Sequence, residues 1–258
     1  MEMMARLGYT AKGIVYAIVG VLAVQAAFTA GGRTTDTKGA LHTIAAQPFG
    51  KFLLILLAVG LVGYSLWRFI EAVADPDNKG TDAKGIISRI GYVSSGLVYI
   101  GLAVNAAMLA LGSGGGGGDN SKQDWTGRLL QQPFGQWLVG IVGAFVIGLG
   151  FYRLYKAYKA KFRKQLKLSQ MSSQEQTWAV RISRIGIAAR GIVFIIIGFF
   201  LIKAARQYDP SEVRGLDGAL QATAQQPFGK ILLGLLALGL IAYAVYLFVE
   251  ARYRRIGV

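Results

Sequence analysis

The sequence predicts an all-α, polytopic membrane protein whose six transmembrane helices form three tandem hairpins in a pseudo-threefold arrangement. Three observations predict it: long apolar stretches free of charged residues, a two-part pattern that occurs three times, and an uneven distribution of lysine and arginine. Of the 258 residues, 53% are hydrophobic and only 16% are charged. That composition is typical of a chain that buries its apolar segments in a bilayer.

Apolar stretches of span length separate the charged residues. Residues 13–32, 90–118, 129–152 and 231–249 lack Asp, Glu, Lys and Arg, and each has the roughly 20 residues that a bilayer-spanning helix needs. Residues 52–67 reach span length if Arg68 snorkels to the interface. Residues 191–202 are too few by themselves, but Arg190 aligns with Lys12 and is placed with it at a membrane edge, so residues 185–205 are predicted as a span with Lys203 near its far end.

The two-part pattern divides the chain into three similar units. Its first part, Arg-x-Gly-x-x-x-x-Gly-[Ile/Leu]-Val-[Tyr/Phe], starts at Arg6, Arg89 and Arg184. Its second part, Gln-Pro-Phe-Gly, starts at Gln47, Gln132 and Gln226. Each unit is therefore a helix, a connection and a second helix. The predicted units are residues 1–78, 79–170 and 171–258, with a basic helical extension at the end of the second.

The repeated residues resemble domain-of-unknown-function family 1206, a family of bacterial membrane proteins in which a two-helix module occurs three times. The resemblance covers about the whole chain and implies this fold and topology. It implies no activity, cofactor or catalytic residue. This chain departs from the repeated pattern at Lys156, where the other units have glutamate, and at Ile187, where they have tyrosine.

The Gln-Pro-Phe-Gly tetrapeptides are predicted to start the second helix of each unit. Proline suits the first helical turn because it lacks an N–H, phenylalanine suits the lipid–water boundary, and glycine lets a neighbouring backbone approach. The helix-start residues are Pro48, Phe49, Pro133, Phe134, Pro227 and Phe228. Alternatively, the three turns surround an outer vestibule. The second connection is predicted to lack the short surface helix of the others and to have a mobile tip at residues 114–118.

Lysine and arginine predict the orientation of the chain. Roughly two thirds of the 28 lysines and arginines fall on the side of the membrane that holds both termini. By the positive-inside rule, that side is the cytoplasmic face of a bacterial inner membrane. The three tetrapeptides then face outward.

Charged residues at the ends of the predicted helices are candidates for ion pairs. Glu71 and Glu250 end the second helix of their units, at the depth where the first helices begin. We expect them to pair at the inner rim with the arginines that start the pattern, Arg6, Arg89 and Arg184. Interfacial anchoring with loose pairing is the alternative. Lys156 breaks the symmetry of this rim.

Three polar residues lie deeper, in the outer halves of their predicted spans. They are Gln25, Asn105 and Lys203. Polar side chains at such depth are candidates for an outer-facing pocket. The alternative is that they hydrogen-bond across helices or snorkel.

A basic segment follows the fourth span. Between Tyr152 and Gln170, aromatic and apolar residues recur at spacings of three or four, which predicts that the helix continues or bends into the interface. Its predicted contacts with anionic lipid headgroups are Lys156, Lys159, Lys161, Arg163, Lys164 and Lys167. A protein partner with an acidic face is the alternative. Nucleic acid is disfavoured, because orientation accounts for much of the net charge of +15.

Enzymatic chemistry finds no support in the sequence. The chain has no cysteine and a single histidine, His42, so no catalytic, metal or cofactor site is predicted. Gly140, Ala144 and Gly148 predict a tight helix–helix face. We therefore expect a non-enzymatic interaction or accessory (scaffold) subunit that binds lipid, another membrane protein or a second copy of itself. The alternatives are a channel or transporter for a small solute or ion, and a membrane enzyme that acts on lipid.

Overall fold

The computed structural model describes residues 2–28, 34–76, 80–113 and 121–255. Within these ranges the chain is helical, apart from turns and an isolated antiparallel bridge between Leu166 and Arg254. Its α-helices are α1 (Glu2–Phe28), α2 (Thr37–Ala45), α3 (Gly50–Val73), α4 (Ala83–Ala110), α5 (Ser121–Leu130), α6 (Gly135–Tyr158), α7 (Ser173–Gln207), α8 (Leu216–Ala224) and α9 (Gly229–Tyr253). The predicted mobile tip at residues 114–118 lies outside the described residues, as does the predicted unit boundary at residues 78 and 79.

Six of these helices are long and apolar enough to cross a membrane: α1, α3, α4, α6, α7 and α9. They correspond to the predicted spans, which confirms an all-α chain with six candidate membrane-spanning helices. The short helices α2, α5 and α8 lie in the connections. The prediction that the second connection lacks such a helix is wrong: α5 forms after the glycine run, where Gln123, Arg128 and two leucines favour helix.

Contacts between successive units are the same in all three cases. Helix α3 packs on α4, α6 packs on α7, and α9 packs on α1. The second glycine of the repeated pattern makes each contact close, since a Cβ atom added to it would nearly touch the neighbouring helix. A Cβ on Gly13 would lie 2.9 Å from the Phe248 ring, and one on Gly96 would lie 2.9 Å from the Phe69 ring. A Cβ on Gly191 would lie 2.9 Å from the Gly150 carbonyl oxygen. Small residues are what allow such close approach of helices.

Contacts within a unit differ. Helix α1 packs on α3, and α7 packs on α9. There the first glycine of the pattern meets backbone, since a Cβ would lie 2.5 Å from the Tyr64 nitrogen at Gly8 and 2.4 Å from the Tyr243 nitrogen at Gly186. In the second unit, a Cβ at the equivalent Gly91 would meet nothing within 4 Å. Along their described lengths α4 and α6 do not pack on one another. The six long helices therefore form an incomplete ring, open between α4 and α6, and the hairpin arrangement stays a prediction for the second unit.

Helix α6 uses a different small-residue face from the predicted one. Gly143 and Gly150 face α7, where added Cβ atoms would lie 3.0 Å and 2.7 Å from the carbonyl oxygens of Gly198 and Gly191. Gly148 of the predicted face has nothing within 4 Å of a Cβ. At the other end of that face, an added Cβ on Gly140 would lie 3.9 Å from the Ala205 Cβ of α7, so only part of the predicted face is left free. The free part follows from α6 having a single long-helix neighbour, α7, within the described chain.

The Gln-Pro-Phe-Gly tetrapeptides form tight turns before α3, α6 and α9. In the first, the Gly50 amide donates to the Gln47 carbonyl at 2.8 Å, and a Cβ on Gly50 would lie 2.5 Å from the Ile44 carbonyl oxygen. Phe49 caps the helix in the left-handed region with φ 62°. Its equivalents are Phe134, with φ 65°, and Phe228, with φ 60°. Because Pro48 precedes the capping residue, the prediction that proline lies in the first helical turn is wrong.

The basic segment after α6 does not continue as an α-helix, contrary to prediction. Ala160 adopts a left-handed φ of 47°, and 3-10 turns follow at Lys161–Gln165 and Leu168–Gln170. Phe162 and Leu166 are buried, and the Phe162 ring lies 5.8 Å from that of Tyr246 on α9. The apolar residues that predicted a longer helix instead hold the chain against the end of α9 as it reverses into α7.

Candidate functional site

The predicted inner-rim carboxylates are paired, but with other arginines. The Arg68 guanidinium donates to Glu71 at 2.7 Å. Arg254, which follows α9, donates to both Glu71 and Glu250. The predicted pairing with Arg6 is therefore wrong. Burial explains this choice: Glu71, Glu250 and Arg254 are 1%, 4% and 3% exposed, whereas Arg6 lies nearer the surface.

The arginines that start the repeated pattern serve other contacts. Arg6 donates to Glu2 at 2.7 Å and to the Ala251 carbonyl at 2.9 Å, so it joins the start of α1 to the end of α9. Both termini of the described chain thus lie at the same end of the bundle. Arg89 pairs with Asp75 at 3.1 Å. Arg184 is exposed.

Lys12 is buried inside the bundle, although the sequence placed it at a membrane edge. It is 4% exposed. Its ammonium donates to the Tyr64 hydroxyl at 2.7 Å and lies 4.4 Å from the centre of the Tyr64 ring and 4.6 Å from that of Tyr99. Aromatic faces attract a cation at these distances. Side chains from α1, α3 and α4 therefore meet around this ammonium.

Arg190 of α7 holds the equivalent position in the third unit and is also buried, at 9% exposure. Its guanidinium carbon lies 4.4 Å from the centre of the Tyr16 ring, 5.0 Å from that of Phe194 and 5.1 Å from that of Tyr243. The Tyr243 ring also lies 6.0 Å from the Lys12 nitrogen. We call Lys12, Arg190 and the surrounding Tyr16, Tyr64, Tyr99, Phe194 and Tyr243 the tyrosine–cation cluster.

The cluster concentrates positive charge. Since both head groups lie over Tyr243 at 6.0 Å and 5.1 Å, they are at most about 11 Å apart. At an effective dielectric constant of about 20, two such charges repel by roughly 1.5 kcal/mol or more. In the described part of the chain, no carboxylate forms an ion pair with either side chain, and Nε of Arg190 is buried without a hydrogen-bond partner.

Tyr64 connects the cluster to the paired carboxylates. Its hydroxyl accepts hydrogen bonds at 2.7 Å from Lys12 and from Arg68. Arg68 in turn pairs with Glu71, which pairs with Arg254. A continuous polar network therefore runs from α1 through α3 to the end of α9.

The predicted outer polar residues have three different environments. Gln25 is exposed. Lys203 pairs with Glu212 of the third connection at 2.8 Å. Asn105 is 9% exposed, and its Oδ1 has no hydrogen-bond partner. No hydrogen bond of the described residues joins the three, so a pocket that they share stays a prediction.

The basic segment presents most of its predicted headgroup contacts to solvent. Lys159, Lys161, Arg163 and Lys164 are exposed. Lys156 is half-buried and donates to Gln165 at 3.0 Å, so it is turned inward rather than outward. Lys167 lies 3.9 Å from Glu2.

The open side of the ring is the second candidate region. Besides Gly148 and Gly91, Gly101 of α4 has nothing within 4 Å of an added Cβ. A separate cavity of about 360 Å³ lies between α6 and α7, lined by Trp137, Gly140 and Ala144 of α6 and by Ile202, Ala205 and Arg206 of α7. Within the described ranges, no group of three or more His, Asp or Glu side chains is arranged to hold a metal ion.

Sequence reasoning missed the tyrosine–cation cluster, although a signal was present. The pattern places Lys12, Ser95 and Arg190 at one position, and an aromatic residue follows each of them four residues later. Residues four apart share a helix face. That recurrence pointed to a common face for cation and ring, but it did not show that this face is directed inward.

Comparisons with known proteins agree with the threefold repeat. The family model described as Domain of Unknown Function (DUF1206) matches residues 7–75, 90–160 and 185–254. The chain is similar to "Uncharacterized protein YxxB" of Bacillus subtilis (strain 168), with 42% identity over 249 residues, which cover 96% of this chain and 90% of that protein. No solved structure matches the chain. The protein is thus a membrane protein with a threefold internal repeat, and it belongs to the DUF1206 family.

Proposed function

We propose that this protein is a non-enzymatic accessory subunit that binds a transmembrane helix of another membrane protein at the open side of its ring. The observation that carries the proposal is the separation of α4 and α6, the only successive pair in the order α1, α3, α4, α6, α7, α9 that is not packed within the described chain. A helix of a partner at this opening would give α4 and α6 the second neighbour that each other long helix of the ring already has.

The surface of α6 supports a helix rather than lipid as the occupant. Gly140, Ala144 and Gly148 are spaced by four residues. Ala144 is exposed, and an added Cβ on Gly148 would meet nothing within 4 Å, whereas one on Gly140 would lie 3.9 Å from the Ala205 Cβ of α7. Small residues bring helix backbones close together, and that close approach is a main source of helix association in a bilayer. Lipid tails, being flexible, gain nothing comparable from a small-residue face. The accessible Ala144 and Gly148 therefore support a helix of another chain as the occupant.

Photo-crosslinking tests this proposal with controls that the repeat supplies. Ala144 of α6, Val59 of α3 and Leu238 of α9 occupy equivalent positions, eleven residues after their prolines, and all three are exposed. A benzophenone amino acid at Ala144 should give a discrete protein adduct in native membranes, whereas the same group at Val59 or Leu238 should react with lipid alone. Lipid adducts at all three positions would contradict the proposal. An adduct of twice the chain mass would identify the partner as a second copy.

We propose further that both termini are cytoplasmic, in a bacterial inner membrane. The exposed Lys159, Lys161, Arg163 and Lys164 support this, because they lie after α6, at the end of the bundle that holds both termini, and cytoplasmic flanks are rich in such residues. These four side chains are also within reach of lipid headgroups on that side of the membrane. Each lysine or arginine near an anionic surface contributes about 1 kcal/mol to membrane binding.

Cysteine labelling tests the orientation, because the chain has no cysteine of its own. Lys51→Cys, beside the first tetrapeptide, should react with an impermeant maleimide on intact spheroplasts. Lys164→Cys should react only after the membrane is permeabilised. Labelling of both in intact spheroplasts, or the reverse pattern, would overturn the orientation.

A further inference from the structure

We propose that the tyrosine–cation cluster binds a phosphate group between Lys12 and Arg190. The proposal concerns a site distinct from the open side of the ring and does not depend on a partner helix there. It comes from a contrast among the buried charges. Five charged side chains are buried in the described chain. Glu71 and Glu250 each pair with Arg254, whereas Lys12 and Arg190 pair with no carboxylate.

The aromatic rings alone do not explain this contrast. Arg68 also lies over rings, 4.8 Å from the centre of Tyr64 and 5.8 Å from that of Tyr9, and it still has Glu71 as a partner at 2.7 Å. At Arg68 the ring faces thus accompany a counter-charge rather than replace one. Charged groups that are buried away from water need both pairing and hydrogen bonds. An anion between Lys12 and Arg190 would supply the pairing that these two buried side chains lack.

The surplus of hydrogen-bond donors indicates the chemistry of that anion. A guanidinium carries five N–H groups and an ammonium three. In the described structure Lys12 uses one of its donors, on Tyr64, and Nε of Arg190 has no acceptor. The Tyr99 hydroxyl donates to the Tyr16 hydroxyl at 3.4 Å, which leaves the Tyr16 proton as one further donor beside them. A phosphate group accepts from several donors at once and matches the fork of an arginine better than a simple halide does.

A further cation lies beside the cluster. Arg153 of α6 is half-buried, and its guanidinium carbon lies 4.7 Å from the centre of the Phe194 ring, the same ring that Arg190 approaches at 5.0 Å. Arg153 therefore adds a positive charge next to Arg190 that favours an anion there. The phosphate has two possible sources, the phosphodiester of a membrane lipid or free inorganic phosphate, and the test separates them.

The test uses the full chain, purified in detergent and stripped of lipid. Its thermal midpoint is measured with inorganic phosphate, with chloride at the same ionic strength, with phosphatidylglycerol, and with an uncharged glycolipid. We expect phosphatidylglycerol or inorganic phosphate to raise the midpoint above its matched control, and the ligand that does so identifies the source. If neither ligand raises the midpoint of the wild-type protein, the proposal is wrong.

Variants then assign the binding to the cluster. Lys12→Gln and Arg190→Gln should each lower the affinity for the stabilising ligand by roughly 30-fold, which is the usual cost of removing one member of a buried charge contact. Arg190→Lys keeps the charge and should lose less. Arg214→Gln is the matched control. Arg214, in the third connection, also lies over an aromatic ring, 4.5 Å from the centre of Phe200, but it is outside the cluster. Equal affinity in wild type, Arg190→Gln and Arg214→Gln would place the phosphate elsewhere and overturn the proposal.

Discussion

The first and third units differ from the second in what they contribute to the centre of the ring. They supply the cations Lys12 and Arg190, whereas the second unit has Ser95 at that position. They supply Tyr64 and Tyr243, where the second has Leu149. At the rim, the second has a lysine in place of the buried glutamates. The first and third units thus supply the buried charges of the interior, whereas the second unit contributes Tyr99 and the two edges of the opening.

The comparison teaches that the two glycines of the repeated pattern have different tasks. The second glycine faces the preceding unit in all three copies, counting α9 as preceding α1. The first glycine faces the second helix of its own unit only in the outer two copies. A local motif therefore specifies that a helix can be approached closely, but the contact forms only where another helix is present.

The largest effect is expected at the rim, where the units differ in charge. Glu71→Gln leaves Arg254 and Arg68 buried with less counter-charge, and breaking a buried ion pair costs about 3–5 kcal/mol. Lys156→Gln, at the equivalent position of the second unit, removes a half-buried charge that donates to the neutral side chain of Gln165, and should cost less than about 1 kcal/mol. Thermal unfolding in detergent measures both. Equal losses would show that the two rims are energetically alike.

A smaller effect with opposite signs is expected at the first glycine of the pattern. Gly8→Ala puts a Cβ 2.5 Å from the Tyr64 backbone and should destabilise the chain by about 1–3 kcal/mol. Gly91→Ala meets open space and should stabilise α4 by about 0.5–1 kcal/mol, because alanine is the better helix former. The same unfolding measurement checks both. Destabilisation by Gly91→Ala would mean that α4 has a neighbour at this face, and would sharpen the search for the bound partner.

The smallest effect should be equal in the three units. Phe49, Phe134 and Phe228 hold left-handed backbone while their side chains are 84%, 82% and 80% exposed. Replacing each by glycine removes strain of about 1–2 kcal/mol and little packing. Each variant should therefore raise the unfolding midpoint in detergent. Ile55→Gly, at an exposed position in the interior of α3, is the control and should lower it. A rise confined to one unit would show that the turns are not equivalent.

Local properties of the chain explain what could be predicted. The spans follow from apolar length, and the turns before α3, α6 and α9 follow from proline and glycine, since both signals are carried by adjacent residues. The ends of helices were predicted less well. Phe162 and Leu166 continue the spacing of a helix, yet they pack against α9 instead, because a distant surface offered them more burial.

By itself, the sequence determined that this is a membrane protein of three similar units with six apolar helices, because hydrophobic length and repetition are local. Only the tertiary structure decided that α4 and α6 stay apart, that Arg254 rather than Arg6 pairs with the glutamates, and that Lys12 and Arg190 face a common interior. The physical reason is the same for all three. The direction of a side chain is set by how its helix is rotated against its neighbours, and that rotation depends on contacts between residues far apart in the chain.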